Sequence, residues 1–191
     1  MVDVTDLGVP GVTVLRPARF GDERGWFSEV WRREWLPGVE FVQDNHSASA
    51  APGTVRGLHF QVPPAVQGKL VRVARGSILD VAVDLRAGSP TFGGHASRIL
   101  SADNGEMLWV PPGCAHGFCT LEPGTEVLYK VSGALYAPDL ERGLAWDDPA
   151  LGIEWPSVAG AVVSDRDRGW PAWADLAGSL GDWFRFEEER S

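Results

Sequence analysis

The chain has 191 residues, 44% of them hydrophobic and 23% charged, with a formal net charge of −9. That length suits one domain with a core of its own, and the composition is that of a globular chain rather than a disordered or membrane-spanning one. The acidic balance argues against nonspecific nucleic-acid binding, which needs a basic surface, while leaving room for a small anionic ligand held by local arginines.

The N-terminal stretch MVDVTDLGVPGV has neither the basic start nor the apolar block of a secretory signal. No run approaches the roughly 18 to 20 apolar residues of a membrane span. The expected location is therefore the cytoplasm, with no membrane partner. From about residue 12 to 135 the chain predicts short strands: GVTVLRP, GWFSEVW, EFVQDNHS, TVRGLHFQ, KLVRVARG, SILDVAVDLR, HASRILSA, EMLWVPPG, HGFCTL and TEVLYKVSG. Turn residues separate them, as in Arg75-Gly76, Ala87-Gly88-Ser89-Pro90 and Asp103-Asn104-Gly105. Strands at this spacing predict a mainly β fold, a jelly-roll or cupin-like barrel. In SILDVAVDLR, Leu79, Val81, Val83 and Leu85 form an apolar face opposite Ile78, Asp80, Ala82 and Asp84.

Helix is predicted only at the margins, as a short turn within Glu29 to Leu36 and a C-terminal helix over Pro171 to Phe184 with proline in its first turn. Trp155, Trp170, Trp173 and Trp183 are expected to pack this tail onto the barrel. No repeat or linker divides the chain, so residues 1–191 are expected to form a single domain.

In VRGLHFQ (55–61), strict alternation puts Arg56, Leu58 and Phe60 on one face and Val55, Gly57, His59 and Gln61 on the other. Neither face is cleanly apolar, as in an edge strand or the wall of a wet cavity. Inward positions of a closed barrel converge, so distant ionisable residues can share a site. Those that look out of place are Arg24, Glu29, Arg56, His59, Lys69, His116, Tyr129 and Asp167. A histidine base, a lysine and a phenol together form a proton-abstraction set. Cys114 and Cys119 flank His116 in PPGCAHGFCT, but a structural zinc needs about four suitably spaced ligands, and they are read as buried free thiols. A metal cupin wants a His-x-His pair, which LHFQV lacks. No metal or cofactor is expected.

The motifs DERGWFSE (22–29), QDNHSAS (43–49), TVRGLHFQ (54–61), QGKLVRV (67–73), GSILDVAVDLRAGSPTFG (76–93), VPPGCAHGF (110–118), EVLYK (126–130), ERGLAWDDPALGIEWP (141–156) and VSDRD (163–167) stand in order along the chain. Together they resemble the dTDP-4-dehydrorhamnose 3,5-epimerases, the RmlC-like cupins, from about Gly11 to Asp167. The resemblance implies a metal-free homodimer acting on a dTDP-4-keto-6-deoxysugar in rhamnose biosynthesis. It assigns His59 as general base oriented by Asp167, Lys69 to the C4 oxygen and Tyr129 as general acid. Arg24, Arg56 and Arg168 would meet the diphosphate, Gln43 and Asn45 the nucleotide, and Phe20 or Phe27 its base. Glu29, Glu141 and His116 match further site positions. The family's second tyrosine stands six residues after the first, whereas here YKVSGALY puts Tyr136 seven residues after Tyr129. A bulge at Gly133 to Leu135 would restore its place, and otherwise the ring shifts by a side. Relatives inverting only C3 or only C5 share nearly all these motifs, which makes a mono-epimerase the alternative.

Overall fold

In the computed structural model, which describes residues 1–156 and 160–187, the strands are β1 (Val2–Asp6), β2 (Thr13–Pro17), β3 (Phe20–Asp22), β4 (Gly25–Phe27), β5 (Phe41–Ser49), β6 (Val55–Gln61), β7 (Gln67–Arg75), β8 (Ser77–Asp84), β9 (His95–Ser101), β10 (Met107–Val110), β11 (Cys114–Thr120), β12 (Thr125–Gly133) and β13 (Glu141–Gly143). They build two antiparallel sheets, β1-β2-β10-β7-β12-β5 and β13-β6-β11-β8-β9, with β3 and β4 as a separate hairpin. The expected mainly β, cupin-like barrel is what forms.

One end of the space between the sheets is filled by apolar side chains that both supply, among them Val71, Val73, Ile78, Leu108, Phe118 and Val127. The other end stays open and carries the polar inward residues. A second core lies outside the five-stranded sheet, where Leu58, Phe60, Val81 and Val83 meet Trp146, Trp155, Leu180 and Phe184. The apolar face of β8 therefore packs outward under the C-terminal segment, and its other face turns into the barrel, where Asp80 and Asp84 are fully buried. Asp84 is satisfied locally by Arg86 Nε at 2.7 Å, Ser89 Oγ at 2.5 Å and Thr91 Oγ1 at 2.7 Å. Cys114 and Cys119 are buried and free. Being an odd number of residues apart on β11, they face opposite cores.

Three strands escape the sequence pattern. β1 pairs only with β2 and is mostly exposed, so it has no apolar face to announce it. β3 and β13 are short, and the expected strand GWFSEVW stops at Phe27, after which Ser28 Oγ donates to the Ala18 carbonyl at 2.9 Å. The turn expected within Glu29 to Leu36 is a 3₁₀ turn at Arg33–Trp35. The expected C-terminal helix is broken: α1 (Asp165–Arg168) was not foreseen, α2 (Trp173–Leu176) starts two residues after Pro171, and Ala177–Asp182 is 3₁₀. Two glycines, Gly178 and Gly181, lie in that stretch, each costing about 1 kcal/mol in a helix relative to alanine. Tertiary contacts supply the order instead, with Leu176, Leu180 and Phe184 in the outer core.

Candidate active site

Strand β6 carries a bulge that builds the site. Across β11, His116 pairs with His59 but Phe118 pairs with Arg56, so Gly57 and Leu58 together face Gly117. Gly57 has φ +117°, and a Cβ there would stand 2.6 Å from Gly117 Cα and 2.7 Å from the His116 carbonyl oxygen, so only glycine fits. The extra residue reverses the alternation. Val55, Leu58 and Phe60 enter the outer core while Arg56 and His59 both line the open end of the barrel. This corrects the strict alternation, which separated Arg56 from His59.

That open end is a cavity of about 660 Å³. His59 Nε2 lies 2.6 Å from Asp167 Oδ1. Asp167 also accepts from the Gly57 amide at 3.4 Å and from Trp170 Nε1 at 3.2 Å, and its own amide donates to Ser164 Oγ at 3.1 Å, capping α1. Burial would raise the Asp167 pKa, but these hydrogen bonds and the His59 ring outweigh it and hold the carboxyl below its ordinary value. An ionised Asp167 fixes the His59 proton on Nε2 and leaves Nδ1 able to accept one.

Lys69 on β7 and Tyr129 on β12 belong to the opposite sheet. Burial lowers the Lys69 pKa to about 8, with Glu141 and Asp80 opposing the shift. Burial raises that of Tyr129, and Glu141 and Tyr136 add to this against Arg56 and Asn45, so the phenol holds its proton at neutral pH. His116, buried beside His59, has its Nε2 2.7 Å from Asp80 Oδ1.

At the mouth, Tyr136 Oη donates to Glu141 Oε2 at 2.9 Å, Arg166 Nη1 donates to Tyr136 Oη at 3.3 Å, and Arg166 ion-pairs with Glu141. The loop that carries Tyr136 leaves β12 at Gly133, which has φ +84°. Three glutamines brace that loop: Gln67 Nε2 donates to the Ala134 carbonyl at 2.8 Å, Gln43 Oε1 accepts from the Tyr136 amide at 3.1 Å, and Gln61 Oε1 accepts from the Ala137 amide at 2.7 Å. Tyr136 lines the cavity.

Of the residues expected from sequence, His59, Lys69, Tyr129 and Asp167 converge on this cavity, as do Gln43, Asn45, Arg56, His116, Tyr136 and Glu141. Five do not line it within the chain. Phe20 and Phe27 are exposed on the β3–β4 hairpin, where Arg24 turns back to Asp22 with Nε 3.1 Å from Oδ2. Glu29 pairs with Arg32 at 3.5 Å. Arg168 is exposed and outside the lining, whereas Arg166 lines the cavity. Asp167 faces the barrel, and helical rotation of about 100° per residue throws its two neighbours to opposite sides. Sequence reasoning also missed Asp80, visible as an acid on the inward face of β8, and Trp170. Trp170, expected to pack the tail, instead stands with its ring edge-on to His59, centroids 6.1 Å apart.

A base on one sheet and a phenol on the other, with a lysine beside them, can take a proton from one side of a bound molecule and return one from the other. That is the equipment of an acid–base isomerase built on a jelly-roll. Residues 6–175 match the family model described as dTDP-4-dehydrorhamnose 3,5-epimerase, and the chain belongs to that family. It is 52% identical over 174 residues, 89% of each chain, to the dTDP-4-dehydrorhamnose 3,5-epimerase of Sinorhizobium fredii. The crystal structure of that enzyme from Bacillus anthracis, with TDP and pyrophosphate bound, is 46% identical and superposes with a TM-score of 0.86 over 90% of this chain and 99% of the other. The epimerase of Legionella pneumophila, solved with dTDP-4-keto-L-rhamnose, is 36% identical with a TM-score of 0.90 over 98% and 100%. Among the described residues no helix is long and apolar enough to cross a membrane.

Proposed function

We propose that this chain, as one domain, inverts C3 and C5 of dTDP-4-dehydro-6-deoxy-D-glucose to give dTDP-4-dehydro-L-rhamnose. The observation that carries this reading is the His59–Asp167 pair on one wall of the cavity, facing Tyr129 and Lys69 on the other. The C4 keto group acidifies the hydrogens on its neighbouring carbons. His59 Nδ1 removes such a hydrogen as a proton; the C–H electron pair becomes the double bond to C4 and the carbonyl π pair moves onto the C4 oxygen, giving an enolate. Lys69 stabilises the oxyanion. Tyr129 then donates a proton to the same carbon from the opposite face, inverting it, and solvent restores both groups. Arg56 and Arg166 at the mouth suit the diphosphate oxygens, and the amides of Gln43 and Asn45 suit the nucleotide.

The dimer is part of this proposal. Phe20, Trp26 and Phe27 are exposed on a hairpin that also carries Arg24, and none of the four lines the cavity that holds His59. Placed over the mouth of a second copy, the aromatic rings would cover the nucleotide base and Arg24 would join the diphosphate site.

Incubation of dTDP-4-dehydro-6-deoxyglucose with the enzyme in deuterated water, followed by proton NMR, tests the reading. Deuterium at both C3 and C5 is expected. Label at one carbon would make the chain a mono-epimerase, and label at neither would overturn the assignment.

A further inference from the structure

Asp80 has no part in the mechanism above and does not line the cavity itself, yet it is buried directly behind His116, which does. It lies on the inward face of β8 with no exposed surface. Oδ1 is engaged by His116 Nε2 at 2.7 Å, while Oδ2 is buried with no hydrogen-bond partner among the described residues. A buried carboxylate with one oxygen unsatisfied costs stability unless something else gains from its charge. Two cavity groups are in a position to gain. His116 is held with its proton on Nε2, so that its Nδ1 edge is the one left for a ligand. Lys69 lies within through-space reach of Asp80, which after Glu141 is the second acid opposing its loss of a proton.

We propose that Asp80 is a positioning residue for the epimerisation: acting through His116 and Lys69, its buried carboxylate holds the two donors that meet the oxyanion formed at the sugar's C4. This rests on the epimerase reading. The carboxylate accepts from His116 and so favours an imidazole able to carry a second proton on Nδ1 when negative charge appears on the substrate. Its charge beside Lys69 favours the ammonium over the amine. Lys69 also shares the cavity with Glu141 of β13, His59 of β6 and Tyr129 of β12, with Arg56, Arg166 and Asp167 toward the mouth. Of these, Glu141 is the other acid that holds the Lys69 proton in place. Glu141 is itself neutralised by Arg166, whereas Asp80 Oδ2 has no hydrogen-bond partner among the described residues.

The test is Asp80→Asn, which keeps the shape and an acceptor for His116 but removes the charge, assayed beside wild type by NMR turnover across pH. A fall of about 10²-fold in kcat is expected, the size seen when one preorganised oxyanion donor is lost, with KM and dTDP affinity within about threefold. The alkaline limb of kcat/KM should move to lower pH, because Lys69 loses one of the charges that keep it protonated. Asp80→Glu should recover part of the rate. Wild-type kcat in the Asn variant would overturn the proposal. So would a lower kcat with an unmoved alkaline limb and a lowered Tm, which is the mark of a structural carboxylate. If wild type itself does not turn over the keto sugar, it is the epimerase reading that fails, before Asp80 is at issue.

Discussion

Lys69 and Asp167 are ionisable side chains drawn from water in one cavity, and their pKa values move for opposite reasons. Asp167 receives hydrogen bonds from His59, from the Gly57 amide and from Trp170, enough to keep it ionised despite burial. Lys69 has only through-space help from Glu141 and Asp80, so burial wins and its pKa falls to about 8. The proposed chemistry needs Lys69 protonated, since a neutral amine cannot stabilise the enolate by charge. The sign follows: kcat/KM should be level near neutrality and fall as pH rises through about 8. Lys69→Arg checks the origin of that limb, because a guanidinium stays charged throughout the accessible range. The variant should be slower, its head group having a different shape, but its pH profile should lose the fall near pH 8. A fall that persists in the arginine variant would assign the limb to another group.

At the level of elements, the two-for-one bulge of β6 against β11 decides which residues reach the cavity. Gly57→Ala tests it. The new Cβ would press on Gly117 Cα and the His116 carbonyl, both backbone, and would also require a positive φ from alanine. The expected cost is roughly 1–3 kcal/mol of stability, the range for overpacking a filled core, read as a lower urea midpoint with unchanged m. Activity should fall further than stability predicts, because His59, His116 and Arg56 shift together; dTDP binding and turnover on the folded fraction would show it. The bulge also marks the limit of what the sequence could tell. Regular alternation made the strands of the barrel legible, and residue chemistry made His59, Lys69 and Tyr129 legible as a set. One extra residue at Gly57 is invisible to a period-two pattern, which is why Arg56 and His59 were put on opposite faces. Similarly, Pro171 to Phe184 reads as helix by local signals, but its order comes from Leu176, Leu180 and Phe184 filling the outer core. Arg166 rather than Arg168 enters the site because of the phase of a single helical turn, set by the burial of Asp167.

At the scale of the whole molecule, the barrel is asymmetric in a way that one chain does not resolve. Its cavity is open at the mouth, while a hairpin bearing Phe20, Arg24, Trp26 and Phe27 projects its aromatic groups into solvent. If each hairpin completes the cavity of the other copy, the base and the hairpin of one working site come from different chains, and genetics can separate them. Each of two variants, His59→Ala and Arg24→Glu, should be nearly inactive alone: the first lacks the base, and the second puts a like charge against the diphosphate. When the two are co-expressed with different tags, a mixed dimer has one site that pairs the intact His59 of the Arg24→Glu chain with the intact hairpin of the His59→Ala chain. Random assortment makes about half of the dimers mixed with one complete site each, so about a quarter of wild-type activity should return. It should co-purify with the doubly tagged species. If the hairpin instead served the cavity of its own chain, no pairing of these variants would contain a complete site, and the mixture would stay as inactive as its parts.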